Sequence, residues 1–426
     1  MSRAASRPPG RRIALFVALP IFGSLAPLLV LPLISRVAGV EGWAVIIAAQ
    51  ASGTFTATAI MFGKTVTGPA DVAQVETEGD ALRIYALSVP TRGMNALAAL
   101  PVGLAVTLAF AQGRYLLDAV FMFLAFASSG FSFSWFAVGR GKAGWIVRYE
   151  LVPRIIALCL GAALVASTRV TLFYPGLLLV GNVLGLLMFH RQLTGAVHER
   201  TCMGFRSWVG QLRTEWHAGV LSLAGSIFSS APVPLVTALS ASTTAGSFAS
   251  ADKMYRFGLL GIIGLANGVQ GWVLAPRPGR GRRRVWALYG HLAVGVAGLG
   301  LMGAVGRPAS ALLFGSHVAA SPTFLWAYGV GFLALSLATP LTRNTLIPAG
   351  RTASVLVASC FGAGLGLVAM VTLSRAWGAG GVAWGFAIGE VANLAWLGSL
   401  VAVRRKRPAP LVSDTGGDTA AREASP

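Results

Sequence analysis

The sequence has little charge. Only 11% of its 426 residues are Asp, Glu, Lys or Arg, where soluble proteins carry about one quarter. Hydrophobic residues make up 55% of the chain, and the mean hydropathy is +0.70. They form uninterrupted runs of about 16 to 23 residues, and a helix needs about 20 apolar residues to cross a bilayer. The scarcity of charge and the length of these runs exclude an ordinary soluble fold and predict an integral membrane protein.

The sequence also lacks the short alternating polar and apolar segments of a transmembrane β-barrel. Helices are then the expected spanning elements, because a helix pairs its own backbone N–H and C=O groups inside lipid. The first apolar run follows an arginine-rich segment and extends to about Ser35 without a small-residue cleavage site. We therefore expect a retained first helix and not a removed secretory signal.

Cysteine and histidine are both scarce. The three cysteines, Cys159, Cys202 and Cys360, have no paired spacing, so neither a disulfide framework nor a zinc site is expected. The five histidines are scattered, and no two acidic residues lie at helical spacing inside an apolar run. No catalytic constellation, cofactor or metal site is therefore expected, and these residues do not predict an enzyme.

Two short motifs are similar to nucleotide-binding sequences. Residues 139–144 fit G-x-G-x-x-G, but they follow an apolar run and not a strand, so no dinucleotide-binding domain surrounds them. Residues 63–65 read Gly-Lys-Thr, but Thr58 stands where a phosphate-binding loop needs glycine. The sequence therefore predicts no ATPase activity of its own.

The apolar runs predict an all-α membrane protein of about twelve transmembrane helices. The fifth and tenth runs are short, so ten or eleven spans are also compatible with the sequence. The predicted spans are residues 13–35, 43–63, 94–111, 116–138, 151–166, 171–189, 218–239, 257–275, 285–305, 324–339, 353–373 and 380–401.

An internal repeat divides these spans into two halves. Four residues of the first span reappear in the seventh at a constant offset close to half the chain: Gly23, Ser24, Pro32 and Leu33 as Gly225, Ser226, Pro234 and Leu235. We therefore expect two parallel six-helix bundles. Their predicted limits are 13–190 and 218–403, with a cytoplasmic N-terminal segment 1–12, a cytoplasmic linker 191–217 and a disordered cytoplasmic tail 404–426.

Prolines occur in both repeated spans. Pro20, Pro27 and Pro32 interrupt the first span, and Pro232 and Pro234 interrupt the seventh. Breaks at matching positions of two halves are a pointer to the binding site of a transporter. Packing kinks without a role in binding are the alternative.

The positive charge of the chain predicts its orientation. Most of the 34 Lys and Arg residues lie in the N-terminal segment, in the loops after even-numbered spans and in the C-terminal tail. Because Lys and Arg accumulate on the cytoplasmic side, both termini are predicted to be cytoplasmic. The basic residues assigned to the opposite side are Arg36, Arg114, Arg169, Lys253, Arg256, Arg307 and Arg375.

Five ionisable residues at or inside spans are candidates for function. Arg36 ends the first span, and Lys253 and Arg256 open the eighth. They either line a cationic cavity that holds a phosphate or extend to the membrane interface without a specific ligand. Glu150 and Glu390 either bind a coupling cation or proton, or pair with Arg148, Arg154 or another helix.

Three segments carry a resemblance to a known family. Residues 32–42, PLISRVAGVEG, followed by Gln50, resemble the junction between the first and second helices of O-antigen-type polysaccharide flippases. Residues 134–139, SWFAVG, followed by Glu150, Pro153 and Arg154, are similar to the segment after their fourth helix. Residues 246–256, GSFASADKMYR, are similar to the segment that leads into their eighth helix.

These flippases belong to the multidrug/oligosaccharidyl-lipid/polysaccharide (MOP) exporter superfamily, with its MATE-like fold of two six-helix bundles. The resemblance implies movement of an oligosaccharide linked to undecaprenyl pyrophosphate from the inner to the outer leaflet of the bacterial cytoplasmic membrane. It also implies polysaccharide polymerase and glycosyltransferase partners. Its implied substrate-binding residues are Arg36, Gln50, Trp135, Arg154, Lys253 and Arg256.

The sequence departs from related families in the first span. Multidrug exporters of the superfamily often carry an ion-coupling acid there, and this span has none. That absence disfavours the alternative of a cation-coupled small-molecule exporter. The peptidoglycan-precursor branch is also a poorer match at the first helix. A membrane glycosyltransferase, polymerase or ligase would need a long outward loop or paired acids, and neither is found.

Overall fold

The computed structural model describes residues 9–111, 113–194, 204–274 and 278–406. Every regular element in these residues is a helix. The α-helices are α1 (Pro9–Met61), α2 (Lys64–Gln74), α3 (Glu78–Phe110), α4 (Leu116–Ala127), α5 (Ser134–Gly139), α6 (Ala143–Ile146), α7 (Val152–Thr168), α8 (Phe173–Thr194), α9 (Phe205–Thr214), α10 (Trp216–Ser230), α11 (Pro232–Leu239), α12 (Ser242–Leu274), α13 (Arg280–Ala304), α14 (Gly306–Phe314), α15 (Pro322–Pro340) and α16 (Thr352–Lys406).

Two of these helices each contain two predicted spans. Among the described residues, nine helical segments are long and apolar enough to cross a bilayer, and the bent pair α10–α11 makes a tenth candidate. Helix α1 has 53 residues and helix α16 has 55, more than twice the roughly 20 needed for one crossing. Each is broken at a glycine with positive φ, Gly39 (φ 67°) and Gly378 (φ 53°). If the parts of α1 and α16 before and after each break are counted as separate spans, the ten candidates become the predicted twelve. The structure is therefore an all-α membrane fold.

Two helices begin well before the apolar runs that predicted them. Helix α3 starts at Glu78, where the Thr77 hydroxyl accepts a hydrogen bond from the Asp80 backbone N–H (3.0 Å). Helix α12 starts at Ser242 and has 33 residues. The prediction that Lys253 and Arg256 open the eighth span is therefore wrong, since both lie inside a continuous helix.

The prolines of the two halves have different effects on the backbone. Helix α1 continues through Pro20, Pro27 and Pro32, so the predicted interruption of the first span is absent. The seventh span does break, with a bend of 42° between α10 and α11. Two of the first three residues of α11, Pro232 and Pro234, have no backbone N–H, so the turn before them loses helical hydrogen bonds.

The two halves of the chain meet along the second part of α1. Its Trp43 is fully buried, and the indole Nε1 donates to the Ser250 hydroxyl of α12 (3.0 Å). One continuous core cluster includes buried side chains from both halves. The outer surface is apolar as well, with exposed residues such as Leu97 (72%), Val368 (61%) and Leu301 (62%). An apolar exterior of this kind is expected where lipid is the solvent.

Candidate functional site

A group of polar side chains lies buried between the halves, and we call it the polar cluster: Gln50, Asp252, Lys253, Arg256 and Tyr328. Asp252, Lys253 and Arg256 are carried by α12, Gln50 by α1 and Tyr328 by α15. Residues four apart share a helix face, so Asp252 and Arg256 lie together. Lys253 is one position further around the helix and reaches α1 instead.

Lys253 is buried against a neutral partner. It is 4% exposed, and its Nζ donates to the Gln50 Oε1 at 2.7 Å. The ion pairs among the described residues do not include Lys253. An ammonium group has three donors, and a buried charge is costly unless it is paired. An anionic ligand beside Lys253 would pair with the ammonium group and remove that cost.

Arg256 is held in place by an acid on its own helix. Its Nε donates to the Asp252 Oδ2 (2.6 Å), and its Nη2 donates to the Ser229 carbonyl (2.7 Å). The Asp252 side chain is 3% exposed and the Arg256 side chain 31%. The Tyr328 hydroxyl lies 3.5 Å from the other Asp252 oxygen. Asp252 thus orients a guanidinium group that is still partly accessible.

The Ser229 contact attaches Arg256 to the broken seventh span. Ser229 is the penultimate residue of α10 and lies three residues before Pro232, the first residue of α11. Carbonyls near a proline break need donors from outside the helix. Arg256 supplies one, so the polar cluster and the helix break form one connected unit.

The sequence did not identify Asp252 or Tyr328 as site residues. Asp252 stands in the resemblance segment at residues 246–256, four positions before Arg256, and this spacing was the available signal. Tyr328 lies in an apolar span without any local charge, and only the tertiary packing brings it to Asp252.

Arg36 is not part of the polar cluster. It is exposed, and its Nη2 donates to the Leu312 carbonyl of α14 at 2.7 Å. The Gly39 break separates it along α1 from Gln50, the residue that contacts Lys253. Of the predicted substrate-binding residues, the structure therefore brings together Gln50, Lys253 and Arg256. Arg36 lies at a different contact between the halves.

Trp135 lies in a buried aromatic group of the N-terminal half. It is 3% exposed, its ring stacks on Tyr85 at a centroid distance of 6.2 Å, and the Arg92 guanidinium lies 5.9 Å from its ring centroid. Arg92 is itself 2% exposed, and its Nη1 donates to the Ser132 carbonyl (2.8 Å). These contacts make Trp135 part of the packing of this half.

Glu150 and Arg154 line a small cavity in the N-terminal half. Its volume is about 40 Å³, and Ser132, Tyr149 and Asn182 also line it. The Glu150 carboxylate accepts a hydrogen bond from the Ser134 hydroxyl, and the Arg154 Nε is buried without a partner among the described residues. Residues Val147–Leu151 form a π-helical turn, a distortion that is frequent at functional sites.

Glu390 is buried on α16 at 8% exposure. A Cβ added at Gly331 of α15 would lie 3.7 Å from the Glu390 Cγ. Among the described residues, no ion pair within 4.0 Å includes Glu390 or Glu150. Pairing of these acids with an arginine is thus not seen among the described residues, but the hydrogen bond from the Ser134 hydroxyl of α5 does join Glu150 to another helix.

A buried ion pair joins the halves at the C-terminal end of α1. The Lys64 Nζ contacts the Glu215 Oε1, and both side chains are 8% exposed. Nearby, a Cβ at Gly63 would lie 2.8 Å from the Gly219 backbone nitrogen. The sequence did not single out this contact, because Lys64 and Glu215 are far apart in the chain and both lie outside the predicted spans.

An apolar groove of about 380 Å³ lies on the surface near the junction of the halves. It is formed by α1, α3 and the bent pair α10–α11, and its lining includes Phe55, Val106, Ile227, Ala231 and Leu235. Ser52 and Ser230 are its only polar side chains. We call this feature the lateral groove.

Known structures share this fold. The lipid II flippase MurJ in an inward closed conformation superposes with a TM-score of 0.68 at 13% sequence identity, over 92% of this chain and 87% of that one. A multidrug resistance MATE family transporter of the MOP superfamily, in an inward-facing conformation, gives a TM-score of 0.52 at 16% identity, over 93% and 96% of the two chains. The chain therefore has the MATE-like fold of MOP transporters.

Comparison of the sequence alone finds no match. No protein-family model matches the chain, and no curated protein sequence matches it. At identities below one fifth, the structural likeness establishes the fold, and the substrate must be argued from the residues themselves.

Proposed function

We propose that the chain is a flippase of the MOP superfamily that moves a polyprenyl-pyrophosphate-linked oligosaccharide from the inner to the outer leaflet during cell-surface polysaccharide biosynthesis. The observation that carries this proposal is the buried Lys253, held by the neutral Gln50 at 2.7 Å beside the partly exposed Arg256. The fold shared with a lipid II flippase and with an exporter supports a transport function.

The polar cluster suits a pyrophosphate. Lysine and arginine donate charge-assisted hydrogen bonds to phosphate oxygens, and the planar guanidinium group can make two at once. A negative ligand between Lys253 and Arg256 would neutralise charge in a region of low dielectric, where the interaction is strong. We propose that the halves rock about this site while the glycan crosses in water and the polyprenyl tail stays in lipid.

The proposed setting follows from the charge distribution. The excess of Lys and Arg in the N-terminal segment and the tail favours cytoplasmic termini in a bacterial cytoplasmic membrane. Glycosyltransferases would supply the lipid-linked substrate on the inner face. A polysaccharide polymerase would consume it on the outer face.

A cation-coupled exporter of small molecules is the second candidate. Glu150 and Glu390 favour it, because each is at least partly buried and neither has an ion-pair partner among the described residues. Intramembrane acids of this kind often bind protons or metal cations. The lack of an acid in the first span argues against it.

Complementation in cells that lack the protein tests the proposal. Substituting Lys253, Arg256 and Arg36 together with alanine should abolish surface polysaccharide, while the abundance of the protein in the membrane stays normal. Arg375→Ala is the matched control, since Arg375 is exposed on α16. Full complementation by the triple variant would remove these three residues from the mechanism.

A further inference from the structure

The lateral groove and the polar cluster lie on two sides of one seam. The seam is the contact between the second part of α1 and the bent pair α10–α11. On α1, Gln50 contacts Lys253 and Ser52 lines the groove. On α10, Ser229 contacts Arg256 and the next residue, Ser230, lines the groove. The two features therefore lie at the same level along α1 and α10.

The groove can bind an apolar ligand, and it has few polar groups that would fix the orientation of a ligand. Its lining is aliphatic and aromatic except for two serines. Sites for compact polar molecules instead place several polar groups to fix orientation. Val102 (61% exposed), Val106 (47%) and Ile227 (40%) border it and also face outward. An occupant can therefore enter from the lipid and remain partly in it.

We infer that the lateral groove holds the first part of the polyprenyl tail of the transported lipid while its pyrophosphate contacts Lys253 and Arg256. This inference rests on the proposed function. In the proposed orientation, residues 102–110 and 227–238 belong to the outer half of their spans, so the groove serves the tail at the outer-leaflet stage. A volume of about 380 Å³ accommodates only part of a long tail, and the rest extends into the bilayer.

The pairing of a cationic site with an adjacent apolar groove identifies the ligand class. A small apolar drug would fill the groove without any contact to Lys253. An ordinary phospholipid would fill the groove without any need for a buried Lys253. A lipid with a pyrophosphate head and an isoprenoid tail uses both, because apolar burial favours the tail in the groove and charge neutralisation favours the head in the cluster.

The first test measures the affinity of the purified full-length protein in lipid nanodiscs for two probes. Undecaprenyl pyrophosphate has the long tail, and isopentenyl pyrophosphate has one isoprene unit. Val106→Trp should fill the groove and weaken binding of the long probe about tenfold, equivalent to about 1.4 kcal/mol. The affinity for the short probe should stay unchanged.

Val180→Trp is the matched control, because Val180 on α8 is 50% exposed and outside the groove. It should leave both affinities unchanged. Equal effects of Val106→Trp and Val180→Trp on the long probe would overturn the groove inference and leave the proposed function standing. Failure of the wild-type protein to bind either probe would overturn both.

Photolabelling of the wild-type protein gives a second, independent test. Undecaprenyl pyrophosphate with a photoreactive diazirine close to its head should label residues 102–110 and 227–238, and unlabelled undecaprenyl pyrophosphate should compete. The comparison probe is phosphatidylglycerol with the same diazirine. Labelling of the groove by that phospholipid, without competition from undecaprenyl pyrophosphate, would show an ordinary lipid site and refute the inference.

Discussion

The ion pair between Lys64 and Glu215 should be a major link between the halves. Glu215→Gln keeps the size of the side chain and removes its charge. The Lys64 ammonium then stays buried at 8% exposure, with Asp71 at 3.7 Å as its remaining acidic neighbour. Removing one partner of a buried ion pair costs about 3–5 kcal/mol. We expect a loss near the lower end, about 3 kcal/mol, because Asp71 still offers a weak partner.

The chain supplies a matched control for this substitution. Glu78 pairs with Lys142 at 2.8 Å, but these side chains are 63% and 36% exposed. Because exposed ion pairs contribute about 0–1 kcal/mol, Glu78→Gln should have little effect. Equilibrium unfolding in mixed micelles measures the free energy of unfolding of both variants. The double variant Lys64→Met, Glu215→Gln should recover part of the loss, since it removes both charges together.

The expectation fails if Glu215→Gln is no more destabilising than Glu78→Gln. It also fails if the losses in the free energy of unfolding caused by Glu215→Gln and by Lys64→Met alone simply add in the double variant. Additive losses would mean that the two side chains act independently. Either result would mean that the halves are held together at this end by other contacts.

Two further predictions concern a contact between the halves and a contact inside the polar cluster. Gly219→Ala should lower stability by about 1–3 kcal/mol, because its Cβ would lie 2.5 Å from the Phe62 ring; Gly225→Ala in the same helix has nothing within 4 Å and should be neutral or stabilising in the same unfolding assay. Arg256→Lys keeps the charge but cannot contact both Asp252 and the Ser229 carbonyl, so transport should fall about tenfold at unchanged membrane abundance. Wild-type transport by Arg256→Lys would contradict the importance of the guanidinium geometry.

The membrane fold was predictable because apolar length is a strong local signal. The runs gave the twelve spans, but they could not show that the first and second spans form one helix broken at Gly39, or that Gly378 breaks another. Polar residues at a helix end do not stop the helix; they only end the apolar run. Helix α3 therefore starts at Glu78, before its apolar run begins.

The candidate site was predictable only in part. Their charge identifies Lys253 and Arg256, but the sequence predicts them at the start of a span because the apolar run excludes residues 252–256. In the structure Asp252 pairs with Arg256, so this stretch can lie inside a buried helix. Trp135 and Arg154 stand in short motifs, and such motifs show which residues are close in sequence but not how far they lie from Lys253.

Transport of a lipid-linked oligosaccharide is the activity that we propose for this chain. The most direct measurement uses the purified protein in liposomes that contain a fluorescent undecaprenyl-pyrophosphate-linked oligosaccharide, with the label accessible to a membrane-impermeant quencher only in the outer leaflet. Wild-type protein should speed the exchange of the lipid between leaflets, and Lys253→Ala should abolish this increase. Exchange at the rate of protein-free liposomes, together with cation-driven uptake of a small organic dye, would contradict the flippase and favour the exporter.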